Sequence, residues 1–75
     1  MHVFIYKLRN KTTGKFLKKF RMYQDKSKPE FSSTKGRVFL EKSHVRLSIN
    51  ALAEEVKNNL EIVEYEIVER TTYEV

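Results

Sequence analysis

The residues best suited to chemistry lie in the stretch SSTKGRVF, residues 32–39. Its first six positions hold three residues with hydroxyl side chains, followed by Lys35, Gly36 and Arg37. The sequence then becomes apolar. A phosphate-binding P-loop needs a glycine-rich run ending in lysine and serine or threonine, followed at once by a helix. Here a strand-like sequence follows a single glycine, which argues against a nucleotide site. We interpret the stretch as a turn, with Gly36 at positive φ, that starts a strand.

The other reactive side chains do not form a catalytic pattern. The only histidines are His2 and His44, far apart in sequence, and there is no cysteine. Four glutamates lie close together in sequence, but alternation along a strand puts Glu64 and Glu66 on one side, which favours an acidic surface over an acid/base pair. The four glutamates are Glu61, Glu64, Glu66 and Glu69. We therefore expect no enzyme activity, no metal and no cofactor.

Charge is distributed unevenly along the chain, whose net charge is +5. Thirteen of the 15 Lys and Arg residues lie at or before Arg46, and seven of the 10 Asp and Glu residues follow it. One interpretation is a basic surface that binds phosphate or an acidic partner. The other is that basic strands pair with the acidic strand across the sheet. The candidate partner or nucleic-acid residues are Lys18, Lys19, Arg21, Lys35 and Arg37.

Aromatic residues also interleave with these cations, as in proteins that bind single-stranded nucleic acid. The aromatics concerned are Tyr6, Phe16, Phe20 and Tyr23. Side chains alternate between the two sides of a strand, and these aromatics fall on the predicted core side more often than on the side of the cations. No ribonucleoprotein signature, KH-type GxxG or zinc knuckle accompanies them. The sequence therefore supports nonspecific phosphate affinity at most.

Periodicity predicts three strands before any helix. HVFIYKLR, residues 2–9, and FLKKFRMY, residues 16–23, read as a hairpin whose loop has Asn10 and Gly14 at positive φ. A polar loop with Pro29 follows, in which we expect Phe31 to fold back on the core. RVFLEK, residues 37–42, is predicted as the third strand.

The second half of the chain predicts one helix and one strand. Val45, Ile49, Leu52 and Val56 have the spacing of an amphipathic helix. We expect Ser43 as its N-cap and Asn58 or Asn59 in a left-handed conformation at its end.

In the final strand, Val63, Tyr65 and Ile67 are predicted to face the core, with Glu64 and Glu66 on the other side. This strand is long for so small a domain, so it either crosses the whole sheet or leaves an end available for pairing with another chain. We therefore place a candidate oligomer edge at Tyr73 and Val75.

These elements predict one α+β domain over residues 1–75, with the order β-β-β-α-β. The sheet should be antiparallel or mixed, with one amphipathic helix packed on one face. No apolar run approaches the ~20 residues that span a bilayer. We accordingly expect a cytoplasmic protein.

Three motifs give the chain a resemblance to a known group. They are YKLRNKTTGK (residues 6–15), FSSTKGRVF (residues 31–39) and the helical HVRLSINAL (residues 44–52), followed by a glutamate-rich strand. In this order they resemble small uncharacterised accessory proteins of tailed bacteriophages. The resemblance implies a viral protein in the cytoplasm of an infected bacterium, but it assigns no binding residues.

Such proteins usually act by binding rather than by catalysis. The leading hypothesis is accordingly a non-catalytic phage accessory protein that binds and modulates a host or viral macromolecule, for host takeover or counter-defence, through the basic hairpin and loop. The alternative is nonspecific nucleic-acid binding by the same surface. The partner's identity and the choice between monomer and homodimer stay open at this point.

Overall fold

A computed structural model describes residues 2–18 and 29–74. Its elements are β1 (Val3–Asn10), β2 (Phe16–Leu17), β3 (Phe31–Ser32), α1 (Lys42–Asn50), α2 (Glu54–Lys57) and β4 (Leu60–Ile67). The four strands form one antiparallel sheet in the order β3-β2-β1-β4. The predicted α+β class and element order are confirmed, with the helical region divided into two helices. Neither helix has the length and apolar character needed to cross a membrane, in the described part of the chain.

The pairing of β1 with β4 determines which residues reach the core. It runs without interruption from Val3 opposite Ile67 to Asn10 opposite Leu60. Directly opposed residues of an antiparallel pair lie on the same face of the sheet, and neighbours along a strand alternate. Leu8 is fully buried and Leu60 is buried in the same cluster. We call their side of the sheet the helix-side face, because it packs against α1, and the other side the second face.

The predicted orientation of β4 is wrong. Val63, Tyr65 and Ile67 lie on the second face, whereas Glu64 and Glu66 lie on the helix-side face, opposite Tyr6 and Phe4. The reason is that pairing with β1 fixes the face: because Leu8 lies on the helix-side face, its partner Ile62 and every second residue from it lie on that face too. The second face is consequently apolar as well, with Ile67 49% exposed.

The turn between β1 and β2 depends on a side-chain amide. Gly14 has φ of 73°, as predicted, but Asn10 does not have positive φ. Instead, the Asn10 Oδ1 atom accepts hydrogen bonds from the backbone N–H groups of Thr12 and Thr13, at 2.8 and 3.0 Å. The Asn59 amide also donates to Asn10 Oδ1, at 3.1 Å. This network ties the hairpin turn to the chain just before β4.

Strand boundaries differ from the prediction in the second and third strands. β2 contains two residues, and Leu17, 1% exposed, enters the core where Phe16 was expected. Residues 19–23 of the predicted strand lie outside the described residues. The third strand is Phe31–Ser32 rather than residues 37–42. Phe31 is partly buried and packs against the core, which confirms its predicted anchoring.

Residues 37–42 contribute one buried side chain instead of a strand. Phe39 is 2% exposed and forms an isolated bridge with Tyr6, whereas Leu40 is 73% exposed. The backbone N–H and C=O groups of Phe39 and Tyr6 exchange two hydrogen bonds of 2.8 Å. A single bridge forms because β2 already occupies the neighbouring position beside β1, at Arg9 opposite Phe16.

The apolar helical stripe is confirmed, although one continuous helix is not. Val45 and Leu52 are buried, and Ile49 and Val56 pack against them. The helix ends after Asn50 because Ala53 has extended backbone, with φ of −66° and ψ of 151°. Four residues of α2 then complete the stripe on the same side of the sheet.

The predicted helix caps are wrong. α1 starts at Lys42, preceded by the extended Glu41, and no side chain caps it, so Ser43 lies inside the helix. At the other end Asn58 has right-handed helical angles, with φ of −65°. Asn59 has no positive φ either. Asn59 is used for the hairpin network rather than for a left-handed turn.

Two leucines on the helical region provide a matched test of the buried stripe. Leu52 is 4% exposed and Leu47 is 67% exposed. We expect Leu52→Ala to lower the free energy of unfolding by ~2–4 kcal/mol because it leaves a cavity. Leu47→Ala should change it by less than ~0.5 kcal/mol. Urea unfolding followed by circular dichroism measures both, and equal losses would contradict the assignment of faces.

Candidate interaction surface

Residues 32–39, which we call the crossing segment, are fixed to the sheet by backbone hydrogen bonds. The Ser32 hydroxyl accepts from the backbone N–H groups of Thr34 and Lys35, at 3.2 and 2.9 Å. The Arg37 N–H donates to the Leu17 carbonyl at 2.9 Å. The bridge from Phe39 to β1 then holds the other end. The Ser32 hydroxyl thus holds the turn, and backbone hydrogen bonds fix the path that follows it.

Gly36 is required by a close approach and not by its backbone angles. Gly14 is the glycine with positive φ, so the prediction of positive φ at Gly36 is wrong. A Cβ atom on Gly36 would lie 2.5 Å from the Phe16 Cβ and 3.5 Å from the Lys7 Cδ. Phe16 and Lys7 both belong to the second face, as their partners Arg9 and Val63 show. The crossing segment therefore lies against that face.

The hydrogen bonds of the turn also bear on phosphate binding. The N–H groups of Thr34 and Lys35 point at the Ser32 oxygen, so they are not available to an anion as in a P-loop. No helix follows Gly36 directly, because the chain first forms the bridge at Phe39 and α1 begins only at Lys42. The interpretation of SSTKGRVF as a turn rather than a nucleotide loop is consistent with this geometry.

The candidate cations have different surroundings. The Lys18 ammonium lies 3.3 Å from the Glu30 carboxylate. The Arg37 guanidinium lies 4.7 Å from the centre of the Phe39 ring, and Lys35 is exposed. Within residues 2–18 and 29–74, neither Lys35 nor Arg37 forms an ion pair with a carboxylate. Lys19 and Arg21 lie outside the described residues.

A lysine and two aromatic rings come together beside the crossing segment. The Lys7 Nζ lies 5.0 Å from the centre of the Phe16 ring and 6.0 Å from that of Tyr65. All three side chains are on the second face and partly exposed. Sequence reasoning counted Phe16 among the aromatics that could bind nucleic acid but assigned Tyr65 to the core. The face of Tyr65 is set by the register of β4 against β1, so the alternation within β4 held no signal for it.

The acidic strand is partly neutralised by neighbouring cations. Arg9 donates to Glu61 at 2.7 Å, directly across the β1–β4 pair. Lys42 lies 3.7 Å from Glu64, and His2 contacts Glu66. Pairing of opposite charges across the sheet thus holds for Arg9 and Glu61, while Lys42 reaches Glu64 from α1. In the described ranges, no group of three or more His, Cys, Asp or Glu side chains could hold a metal ion.

The candidate oligomer edge follows the end of β4. β4 ends at Ile67, and residues 68–74 have no regular secondary structure. Tyr73 is 84% exposed, and Val75 lies outside the described residues. Arg70 is exposed on the same stretch. Strand geometry therefore ends sooner than predicted, and the segment beyond it leaves large side chains in solvent.

Comparison with protein-family models, with curated proteins and with solved structures gives no match. The likeness to phage accessory proteins consequently stays a prediction from the three sequence motifs.

Substitution of the two glycines by the same residue tests the close approach. A Cβ at Gly36 meets Phe16, whereas a Cβ at Gly14 meets nothing within 4 Å. Asparagine tolerates the left-handed backbone of Gly14, so Gly14→Asn should cost less than ~1 kcal/mol. Gly36→Asn should cost ~2–3 kcal/mol because the crossing segment must shift away from the sheet. Thermal unfolding compares the two, and a Gly36 variant as stable as the Gly14 variant would contradict the described path.

Proposed function

We propose that this chain is a non-catalytic binding protein that docks on an acidic surface of a host or viral macromolecule. The docking surface comprises the crossing segment and the adjoining hairpin, with Lys18, Lys35 and Arg37 as its described cations and Lys19 and Arg21 as further candidates. The observation that carries the proposal is that Lys35 and Arg37 stand exposed on a fixed segment without a carboxylate partner among the described residues.

Rigidity makes these cations suitable for recognition. Ordering a mobile loop on binding costs free energy, and a segment already held by backbone hydrogen bonds avoids part of that cost. Lys35 follows the Ser32 turn directly, and Arg37 is anchored through its own N–H. The Phe39 ring further restricts the Arg37 side chain. The backbone positions from which both side chains extend are therefore fixed.

The charge balance supports an acidic partner rather than an internal role. Arg9 and Lys42 already have glutamate partners across or beside the sheet. Cations without internal partners raise the association rate with an acidic surface and exclude basic ones. The resemblance to phage accessory proteins adds the setting, the cytoplasm of an infected bacterium, where the docked protein would be modulated rather than chemically altered.

Paired charge reversals test this docking surface. Tagged wild-type protein, Lys35→Glu/Arg37→Glu and the control Arg46→Glu/Lys57→Glu, whose changes lie on α1 and α2, are used to capture partners from nuclease-treated bacterial lysate. Each reversal removes two units of charge, so both double variants fall from +5 to +1. If each exposed cation contributes ~0.7 kcal/mol to the binding free energy, loss of two lowers the affinity about tenfold, and reversed charges lower it further. Capture of a specific protein should therefore weaken about tenfold or more in the first variant only. Equal capture by all three proteins, or equal loss in both variants, would contradict the proposal.

A second candidate function is nonspecific binding of single-stranded nucleic acid. The observation that favours it is the position of the Lys7 ammonium between the rings of Phe16 and Tyr65 on the second face. Bases stack on exposed aromatic side chains while nearby cations contact the phosphates, and neither contact requires a particular sequence. Arg37 and Lys35 lie on the segment that crosses this same face.

Two tyrosines provide a matched test of the second candidate. Tyr65→Leu keeps an apolar side chain on the second face but removes the stacking ring, and Tyr73→Leu makes the same change on exposed residues 68–74. Loss of one stacked base costs ~1–3 kcal/mol, so Tyr65→Leu should weaken binding of an oligothymidylate about tenfold or more. Fluorescence anisotropy at rising salt measures affinity and its salt slope. If the wild-type protein binds no oligonucleotide at low salt, nucleic-acid binding is excluded. The protein-docking proposal is not affected by that result.

A further inference from the structure

The outer edge of β4 has unpaired backbone groups in the described part of the chain. Both backbone groups of Tyr6 are hydrogen-bonded to Phe39, so Tyr6 and Glu64 form a pair without hydrogen bonds between them. In an antiparallel ladder such pairs alternate with hydrogen-bonded ones. The N–H and C=O groups of Ile62, Glu64 and Glu66 therefore point away from β1. No described strand lies on that side.

Residues 68–74 continue this edge beyond the sheet. The first residue of β1, Val3, pairs with Ile67, so the following residues have no neighbour in β1. Val68 is 76% exposed and Tyr73 is 84% exposed. A long edge with exposed apolar side chains is a template for another strand unless something protects it.

We propose that a second copy of this chain covers the edge, and that the two β4 strands pair antiparallel about a twofold axis at Val68. The sheet then continues through the interface, with residues 62–67 of each copy beside residues 69–74 of the other. This surface is separate from the cation surface described above, so the dimer does not depend on the proposed function.

The direction of the backbone N–H and C=O groups limits the registers in which the two β4 strands can pair. Outward-pointing groups belong to even-numbered residues of β4, and these must face even-numbered residues of the second copy. The same condition keeps the helix-side faces of both copies on one side of the joined sheet. Registers that place the twofold at residue 65, 66, 69 or 70 oppose like charges, which destabilises a sheet.

The register centred on Val68 has complementary partners instead. Glu66 of each copy faces Arg70 of the other, so the interface contains this ion pair twice. On the second face, Tyr73 of one copy covers Val63 of the other. Val68 faces itself on the twofold, beside Phe4, which is 39% exposed. The register centred on residue 67 also avoids like charges, but it sets Val68 against Glu66 and Tyr73 against Glu61.

The existing contacts of these residues are compatible with pairing. The Glu66 Oε1 atom is engaged by His2, which leaves Oε2 for Arg70 of the second copy. The Thr72 hydroxyl donates to Glu69 at 2.8 Å within residues 68–74. Pairing would extend the segment and replace that one exposed hydrogen bond by backbone hydrogen bonds between the copies.

Charge exchange between Glu66 and Arg70 tests the interface. Glu66→Arg and Arg70→Glu should each weaken dimerisation about tenfold, since each creates two pairs of opposed like charges. The double variant restores two attractive pairs and should recover the wild-type Kd. Sedimentation velocity over a range of concentrations measures these constants. At a protein concentration of about 1 mM, even a weak dimer with a Kd of about 1 mM would be populated. A wild-type chain that remains monomeric at this concentration overturns the proposal.

Cysteine cross-linking tests the register independently, because the chain has no cysteine of its own. Directly opposed, hydrogen-bonded residues have Cα atoms ~5.5 Å apart, within the range of a disulfide. Val68→Cys should therefore form a covalent dimer on mild oxidation. The two copies of a Thr71→Cys variant would be ~20 Å apart and should not cross-link.

Other outcomes of the cross-linking would contradict the proposal. Faster cross-linking of Ile67→Cys than of Val68→Cys would show that the register is different. Equal cross-linking at all three positions would indicate random collision. The chain could also prove monomeric, with residues 68–74 protected from hydrogen exchange only when a different protein is added. That result would show that a strand of another protein occupies the edge.

Discussion

The antiparallel ladder between β1 and β4 constrains most of this small structure. Eight consecutive pairs join the two strands, and they place every side chain of β4 relative to the core residues of β1. A shift by one residue would move Leu60 out of the core and Glu61 into it, which the burial of Leu60 forbids. Arg9 and Glu61 then meet across the strands as a consequence of the register. Core, ion pair and open edge are three results of one alignment.

The crossing segment depends on this alignment in turn. Because β4 occupies one side of β1, the other side is left to β2 and to Phe39. β2 separates from β1 after two residues, and the bridge between Tyr6 and Phe39 fills the space beyond it. Reaching that position requires the backbone to pass over Phe16, where only a glycine fits. Gly36 is thus a condition of the topology, and the exposure of Lys35 and Arg37 follows from the path.

The helical stripe could be predicted from the sequence, whereas the sheet faces could not. Val45 and Leu52 repeat with helical spacing against a single apolar surface, so periodicity alone identified their burial. In β4 both parities are apolar, with Leu60 and Ile62 on one face and Val63 and Tyr65 on the other. Alternation then contains no information about which face a helix covers. The choice is made by Leu8, a residue more than fifty positions away in sequence.

For a similar reason, some residues of the candidate surface could be predicted from the sequence, but their arrangement could not. Lys35 and Arg37 were recognisable as exposed cations, but the meeting of Lys7, Phe16 and Tyr65 needs the register of two strand pairs. Segment 37–42 alternates locally like a strand, yet the competing position of β2 leaves room for one bridge. Local pattern describes what a segment can do, and long-range pairing decides which option is used.

The two proposed surfaces reinforce each other through geometry. Antiparallel pairing of two β4 edges with like faces aligned puts the twofold axis perpendicular to the sheet. Both second faces, each with its Lys7 and crossing segment, would then lie on the same side of one continuous sheet. A partner with two acidic patches, or a strand of nucleic acid, could contact both copies, and the second contact would form at a high effective concentration. Weak individual contacts from a few exposed cations would in this way suffice for stable docking.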